Sequence, residues 1–225
     1  MEDASILFAK QNKQQFLEQL VEGFSRVDSS AKIAVFMAGS PGAGKTEVAT
    51  GLSEIFKNVV IIDADIFRSY FPGYNGHNSD KFQKGAALMV EYALDYVLKK
   101  GYSFILDGTF AINKAVENIQ RALKRDYKTS IYYVYQDPFI AWEFTQEREK
   151  TEGRHVPKER FINAYFKSRE NIQKVSKAIG EEVDLIVVLK DYQNIISDII
   201  EGVENIELVI PNQYVPEELE VKLND

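Results

Sequence analysis

One octapeptide of this sequence has the residue types and the spacing of a phosphate-binding loop. It matches the pattern GxxxxGK[ST] and consists of Gly39, Ser40, Pro41, Gly42, Ala43, Gly44, Lys45 and Thr46. In such a loop the glycines let backbone N–H groups turn toward a triphosphate, the lysine reaches the outer phosphates, and the last hydroxyl is offered to magnesium. The pattern predicts binding of ATP, with GTP less favoured, together with Mg²⁺. The alternative is a glycine-rich turn that binds nothing, and it is disfavoured by the Lys-Thr pair in register.

Carboxylates at the ends of two apolar runs could act on an acceptor beside those phosphates. Asp63 and Asp65 follow the second run, where an inward carboxylate would face the terminal phosphate and an incoming hydroxyl. Asp107 ends the third run and could hold Mg²⁺ through water or hydrogen-bond the acceptor. The alternative is that Asp63 and Asp65 are caps or turn residues, and it applies more strongly to Asp63.

Two arginines enclose a polar stretch in the second half of the chain. Arg148 and Arg154 lie on either side of residues 149–153, which end in a glycine. On a closing segment they would neutralise charge on a transferred phosphoryl group, whereas the alternative is an exposed basic helix. Glu91, on a predicted helix, is explained equally well by a solvated helix face when spacing alone is considered.

The elements that would position these residues alternate along the chain. Buried apolar runs predict strands at 33–37, 59–62, 103–106, 130–135 and 185–189, and helical spacing predicts helices at 46–56, 82–99 and 114–125 and a helical stretch at 138–179. This alternation predicts an α/β fold with a doubly wound, mostly parallel sheet flanked by helices, which binds ligands at the carboxyl ends of its strands. Helical spacing over 4–26 precedes the first strand. A short helix, an edge strand at 206–210 and an acidic tail follow the last one.

Composition limits the chemistry that this chain of 225 residues can perform. It contains no cysteine, which excludes disulfides, thiol nucleophiles and Cys-ligated zinc. Its net charge of -7 and the absence of an aromatic-basic track disfavour nucleic acid as a partner. No apolar run approaches the roughly 18 residues of a membrane helix, and the polar start lacks a signal-peptide pattern, so we expect a cytoplasmic protein without membrane contact.

The motifs GSPGAGKT, IDADIFRSYFP, ILDGTF and EREKTEGRHVPKERF, in this order, resemble the zeta toxin family of phosphate-loop kinases. The resemblance extends from about Lys32 to Val175. It implies a P-loop kinase fold with an N-terminal helix and a helical lid. It also implies a division into an N-terminal helical extension (1–30), the kinase domain (31–190), and a C-terminal helix, edge strand and acidic tail packed on the same domain (191–225).

The resemblance further implies an activity. Family members phosphorylate the sugar 3'-hydroxyl of UDP-N-acetylglucosamine with ATP, and a small helical antitoxin, a separate protein here, inhibits them. Carried over to this sequence, Lys45 and Thr46 would hold ATP and Mg²⁺, and Asp65 would be the catalytic base. Arg148 and Arg154 would clamp the phosphates. The acceptor pocket would contain Asp65, Arg68, Glu91, Asp107 and Thr109, with Asp107 also near the metal.

The sequence departs from the family pattern at the acceptor side. Asp107 occupies a position where the family usually has glutamate, and Phe71 one where histidine before proline is common. Residues 112–114 offer no hydroxyl groups where contacts to the nucleotide sugar are expected. Two alternatives therefore stay open. One is a kinase for another hydroxyl acceptor, such as an antibiotic, a nucleoside or a polynucleotide end; the other is a nucleotide-gated regulatory protein without transfer activity.

Overall fold

Six β-strands form one sheet in the residues that the structure describes. The computed structural model describes residues 3–28, 31–210 and 213–224. The sheet has the order β2-β3-β1-β4-β5-β6, in which the first five strands are parallel and β6 is antiparallel to β5. This confirms the predicted α/β class with a mostly parallel sheet. The strands are β1 (Ile33–Ala38), β2 (Val60–Asp63), β3 (Phe104–Asp107), β4 (Lys128–Tyr135), β5 (Val183–Lys190) and β6 (Ile196–Ile200).

Helices cover both faces of this sheet. Side chains of β1 alternate between two apolar clusters, with Phe36 on one face and Val35 and Met37 on the other, as a strand buried on both faces requires. Within the described residues no helix is both long enough and apolar enough to cross a bilayer. The helices are α1 (Ala4–Leu20), α2 (Lys45–Phe56), α3 (Ala64–Ser69), α4 (Ser79–Lys100), α5 (Ala115–Leu123), α6 (Pro138–Glu152), α7 (Lys158–Ile179), α8 (Ile206–Val209) and α9 (Pro216–Lys222).

The register of the parallel strands brings the predicted acidic residues together. β2 pairs with β3 so that Asp63 and Asp107, the last residues of the two strands, are register partners. β1 pairs with β3 on one side and β4 on the other, which makes it the central strand leading into the glycine-rich loop. The carboxyl ends of β1, β2 and β3 therefore lie side by side at one edge of the sheet.

The predicted helical stretch at 138–179 is two helices in the structure. Gly153, with a positive φ of 71°, ends α6, and Pro157 occupies the position before α7. Glycine adopts the left-handed conformation without strain, and proline suits the start of a helix because its missing N–H would have no helical partner. The segment between the two helices carries Arg154.

The edge strand predicted at 206–210 is wrong, and the sixth strand is β6, ten residues earlier. Residues 206–209 form a single helical turn because the Asn205 side chain caps it, accepting a hydrogen bond from the N–H of Glu207. This turn buries Ile206, and Ile210 is also buried beside it. An apolar spacing of four residues is compatible with one turn of helix as well as with a short strand.

Helix α1 packs along α4, and a glycine makes the close approach possible. A Cβ at Gly85 would lie 2.5 Å from the carbonyl oxygen of Ser5 and 2.7 Å from Cζ of Phe71. The N–H of Gly85 also donates to the Ser5 hydroxyl at 3.1 Å. Aromatic contacts between Phe8 and Phe71, with ring centroids 5.3 Å apart, extend the same interface.

Replacing Gly85 by alanine should destabilise the protein, although the same substitution usually stabilises a helix. Alanine for glycine normally stabilises a helix interior by about 0.5–1 kcal/mol, but here the new methyl group overlaps Ser5 and should cost about 1–3 kcal/mol. Gly51→Ala is the matched control, because Gly51 lies inside α2 with nothing within 4 Å of its ideal Cβ. Urea unfolding should show Gly85→Ala less stable and Gly51→Ala slightly more stable than wild type. Stabilisation by both variants would contradict the α1–α4 contact.

Candidate active site

The glycine-rich octapeptide forms the loop between β1 and α2, as predicted. Its glycines are required by close approaches: a Cβ at Gly42 would overlap the carbonyl oxygen of Ala141, and one at Gly39 would overlap that of Val134. Both glycines have a positive φ, which other residues adopt only with strain. Lys45 begins α2, and its ammonium group donates to the carbonyl oxygen of Ser40 at 2.7 Å. The lysine is thus folded back over its own loop.

The electrostatic environment of Lys45 is suited to receiving an anion. Burial lowers its pKa to about 8, while the nearby Asp107 carboxylate opposes this shift and Arg154 and Arg148 add to it. A pKa near 8 leaves the ammonium form predominant at neutral pH. Because burial and neighbouring cations disfavour this charge, a bound phosphate would be a favourable partner for it.

Thr46 and Asp107 present oxygen atoms to the same point beside the loop. The Thr46 hydroxyl donates to Oδ2 of Asp107 at 2.8 Å. Burial raises the pKa of Asp107, and the Lys45 charge and the Thr46 hydrogen bond oppose that rise. Hydroxyl and carboxylate oxygens are ligands that Mg²⁺ prefers. In the described parts of the chain no three His, Asp or Glu side chains cluster as a complete metal site, so Mg²⁺ held here would draw further ligands from phosphates and water.

Asp63 is the helix cap that its alternative interpretation suggested. Its Oδ1 accepts a hydrogen bond of 3.0 Å from the N–H of Asp65 and so caps α3. Burial, followed by the charge of Asp65, raises the pKa of Asp63 to about 6. Asp63 also contributes to the cavity wall beside Asp107. It therefore combines a structural role with a carboxyl group that titrates close to neutral pH.

Asp65 lies in the first turn of α3, a helix for which the sequence has no periodic signal. Both of its carboxylate oxygens are paired, Oδ1 with the Arg68 guanidinium and Oδ2 with that of Arg154. Arg68 is 5% exposed and also donates to the side-chain oxygen of Gln83. The network joins α3 and α4 to the segment between α6 and α7, so three walls of the site meet at one carboxylate.

These groups line a cavity of about 880 Å³ at the carboxyl end of the sheet. It is bounded by the glycine-rich loop, the ends of β2 and β3, the start of α4, the end of α6 and the start of α7. Arg148 lies on the α6 wall, where it pairs with Glu152 at 2.9 Å. The predicted site residues in its lining are Pro41, Gly42, Gly44, Lys45, Thr46, Asp65, Arg68, Asp107, Thr109, Arg148 and Arg154.

The structure does not bring Glu91 to this cavity. Its side chain is 59% exposed and interacts with Lys114 at 3.4 Å. The cavity touches α4 only at its start, at Ser79, Asp80 and Gln83. Eight residues of helix separate Gln83, the last of these three, from Glu91, a distance of about 12 Å along the axis. The sequence could not show this, because it contains no information on where along α4 the cavity ends.

Several lining residues were not singled out from the sequence. Gln83 and Ser79 are four residues apart on one face of α4. Arg160 and Asn163 are three apart on one face of α7. Arg160 belongs to the same basic motif as Arg154, which is the signal by which it could have been found.

The sequence of this chain is similar to a family model and to curated proteins. The family model described as zeta toxin matches residues 19–201. A curated protein named toxin zeta, from Streptococcus agalactiae, is 26% identical over 155 residues, which cover 64% of this chain and 54% of that protein. The chain thus spans about half the length of the curated relatives it matches.

Two solved structures share the fold. One, from the PezAT toxin–antitoxin system of Streptococcus pneumoniae, has a TM-score of 0.66 at 20% identity and covers 100% of this chain and 88% of its own. The other, the AvrRxo1-ORF1:-ORF2 complex with ATP, has a TM-score of 0.59 at 13% identity and covers 91% of this chain and 70% of its own.

Replacing Asp63 by asparagine should stabilise the protein at neutral pH. Folding raises the pKa of this carboxyl group from 3.8 to about 6. Such a group lowers the free energy of unfolding once the pH exceeds its pKa in the unfolded state, and the full loss is reached above its pKa in the folded state. Asparagine keeps the cap without the charge, so the gain should be about 1–3 kcal/mol at pH 7 and about 0.5 kcal/mol or less at pH 4.

Urea unfolding at the two pH values, without divalent cations, measures this difference. Asp63→Ala, which removes both charge and cap, should be about 1 kcal/mol less stable than Asp63→Asn at both pH values. An equal gain for Asp63→Asn at pH 7 and pH 4 would contradict the raised pKa.

Proposed function

The chain belongs to the zeta toxin family, and from this premise we propose that it is an ATP-dependent kinase that phosphorylates a small hydroxyl acceptor. The proposed acceptor is a UDP-amino sugar, with UDP-N-acetylglucosamine and its sugar 3'-hydroxyl as the first candidate. One observation carries the proposal: the cavity that contains Lys45 of the glycine-rich loop also contains a carboxylate, Asp65, held by Arg68 and Arg154.

ATP would bind with its phosphates in the glycine-rich loop. The backbone N–H groups at the start of α2 and the Lys45 ammonium would contact the outer phosphates, and the helix N-terminus adds positive potential. Thr46 and Asp107 would hold Mg²⁺, which when bound neutralises charge on the phosphates. Their hydrogen-bonded oxygen atoms are the donor set that this role needs.

Asp65 would accept the proton of the acceptor hydroxyl. As the proton moves to a carboxylate oxygen, the hydroxyl oxygen bonds to the γ-phosphorus and the bond from phosphorus to the bridging oxygen breaks, releasing ADP. The salt bridge to Arg68, on the same helix, orients the carboxylate. The chain would thus position two reactants, and positioning with charge neutralisation supplies most of the rate in phosphoryl transfer.

Arg148 and Arg154 would stabilise charge on the transferred group. Arg154 follows Gly153, where the left-handed backbone ends α6, and Arg148 lies one and a half turns earlier on that helix. Arg154 contacts Asp65 and lines the same cavity as Lys45, so it would lie between the proposed base and the phosphates. A guanidinium there can exchange a carboxylate partner for a phosphoryl oxygen.

We also propose that the chain has a protein partner and acts in the cytoplasm. The similar PezAT structure is described as a toxin–antitoxin system, which supports a separate antitoxin protein as an inhibitor of this chain. ATP and UDP-sugars are cytoplasmic metabolites, so the proposed reaction would take place in the cytoplasm.

The second candidate function is a kinase for a different hydroxyl acceptor. Ile112, in the segment after β3 where contacts to a nucleotide sugar are expected, lines the cavity with an apolar side chain that is 48% exposed. Phe71, in place of a family histidine, is buried in the core. Phe71 does not line the cavity, so only the apolar Ile112 bears on the acceptor, and it favours one with fewer polar groups beside the segment after β3.

Replacing Asp65 by asparagine should abolish transfer while ATP binding persists. Loss of a general base lowers kcat by about 10²- to 10⁴-fold, whereas the loop that binds ATP is unchanged. Asp95→Asn is the control, since it removes another Asp–Arg pair, with Arg121, on the outer side of α4. Mass spectrometry of acceptor panels would report transfer, and calorimetry would report ATP affinity. Transfer by Asp65→Asn at near wild-type rate would refute the base assignment.

Expression of the chain in a bacterial host should stop growth and accumulate a phosphorylated UDP-sugar. Lys45→Ala should do neither, because it removes the ammonium group that contacts the phosphates. Growth curves and nucleotide extracts measure both effects. Transfer to a different acceptor in vitro, with no new UDP-sugar in cells, would favour the second candidate. ATP binding with no phosphorylated product from any acceptor would instead indicate a regulatory protein.

A further inference from the structure

The C-terminal segment, residues 213–224, packs against the two helices that border the cavity on the side of Arg148 and Arg154. Leu219 of α9 and Leu223, directly after it, are both buried. They belong to a core cluster shared with α6 and α7, whereas within the described residues the two clusters on the faces of the sheet contain no residue of this segment. The other buried members of the shared cluster are Ala141, Trp142, Phe161, Ile162 and Tyr165.

Polar contacts hold the same segment along α6. The Tyr214 hydroxyl donates to Oδ2 of Asp137 at 3.3 Å, and the other oxygen of that carboxylate caps the start of α6. Farther along, the indole N–H of Trp142 and the side-chain amide of Gln146 both donate to the backbone carbonyl oxygen of Asn224. The C-terminal segment thus follows α6 from its N-cap to its middle.

Short stretches of chain separate the shared cluster from the arginines of the cavity. Val156 packs against the cluster and also lines the cavity, and it lies two residues after Arg154. Trp142, a member of the cluster, precedes Arg148 by six residues, which is less than two turns of α6. Because protein interiors are close-packed, a shift in the cluster is transmitted to its neighbours. The packing of the C-terminal segment therefore affects where both guanidinium groups lie.

The second half of α6 has few apolar contacts of its own. Among the described residues, none at 143–152 belongs to a core cluster or packs against one. Arg148 pairs with Glu152 on the same helix, so this salt bridge does not tie α6 to the rest of the protein. The end of the helix contacts the loop before α4 at Gly76. Between that contact and the cluster at Trp142, the helix that carries Arg148 spans the cavity wall.

We propose that the C-terminal segment positions α6 and α7 for catalysis, and that Leu219 and Leu223 are positioning residues for Arg148 and Arg154. The inference rests on the proposed function, because it takes the two arginines to stabilise charge on the transferred phosphoryl group. The described residues of the segment do not line the cavity, so the segment acts through the helices it packs against. A misplacement of about 1 Å in a group that contacts the reacting atoms can lower the rate about 100-fold.

The chain contains a single tryptophan and no cysteine, which permits two structural measurements on the full protein. Acrylamide quenching of Trp142 fluorescence reports the packing of the C-terminal segment. Spin labels attached at Glu54→Cys and Lys150→Cys, exposed positions on α2 and α6, report where the end of α6 lies. Replacing both leucines, Leu219→Ala with Leu223→Ala, should raise the quenching constant about twofold or more and broaden the distribution of label distances, because it removes the buried contacts of the segment.

The same double variant should lose rate and keep nucleotide affinity. Its kcat should fall about 10- to 100-fold, with a KM for ATP within about twofold of wild type, because the loop that binds ATP is unchanged. The single variant Leu219→Ala should be intermediate, and it provides the test if circular dichroism shows that the double variant does not fold. Leu219→Met, which nearly conserves side-chain volume, should restore most of the rate.

Two variants are matched controls. Val221→Ala changes a side chain of α9 that is 84% exposed, and Leu98→Ala removes a buried leucine from the cluster on the sheet. Neither should change quenching, label distances or kcat, although Leu98→Ala should unfold at a lower urea concentration. Equal effects of Leu98→Ala and Leu219→Ala on kcat would overturn the proposal, because they would indicate general destabilisation.

Two further outcomes separate this inference from the proposed function. A double variant with unchanged quenching, label distances and kcat, in a protein that phosphorylates an acceptor, would refute the positioning role alone. Increased quenching and broadened label distances in a protein that phosphorylates no acceptor would support the positioning of α6 and refute the kinase function.

Discussion

The two salt bridges of Asp65 hold the walls of the cavity in their mutual arrangement. Arg68 reaches Asp65 from one turn along α3, and Arg154 reaches it from the segment that joins α6 to α7. Arg68 in turn bonds to Gln83 on α4. A carboxylate shared in this way makes the positions of three chain segments interdependent. Charge-assisted hydrogen bonds of this kind, in a partly buried site, are among the strongest non-covalent contacts that a protein makes.

Other charged groups of the cavity are buried at an energetic cost, which the core of the sheet beneath them can offset. Asp63, Asp107 and Lys45 are all taken partly out of water, as the shifts in their pKa values show. The parallel strands below them supply a core that is buried on both faces, and the hydrophobic free energy of that core can offset such costs. Because these charges are buried at a cost, binding of the opposite charge is favoured. Phosphates would compensate the positive charge of Lys45, and a divalent cation would compensate the carboxylates.

Much of the fold could be predicted from the sequence because its strands are continuous apolar runs and its loop has a fixed pattern of glycines. Elements shorter than about two turns left no periodic signal. Residues 64–69 form a helix because Asp63 caps it, and the turn at 206–209 depends on a cap from Asn205. A position in the candidate cavity could be predicted for side chains that belong to the motifs themselves. The sequence could not place Glu91, whose position depends on the direction in which α4 leaves the cavity. It also could not predict the pairing of Asp65 with two arginines, because that pairing depends on tertiary contact.

The position of Arg154 depends on contacts behind the cavity as well as on Asp65. Gly153 has the ring of His77 packed against it, with Cγ 2.5 Å from where a Cβ would lie, and a Cβ at Gly76 would overlap the carbonyl oxygen of Glu152. The loop before α4 therefore packs tightly against the end of α6. Because α4 also contributes Gln83 to the arginine network, this helix and the loop before it contact both Arg68 and the turn at Gly153 that precedes Arg154. A phosphate that drew Arg154 away from Asp65 would free one oxygen of that carboxylate while Arg68 kept the other in place. Nucleotide binding and the exposure of Asp65, the proposed base, would then be coupled through a single guanidinium.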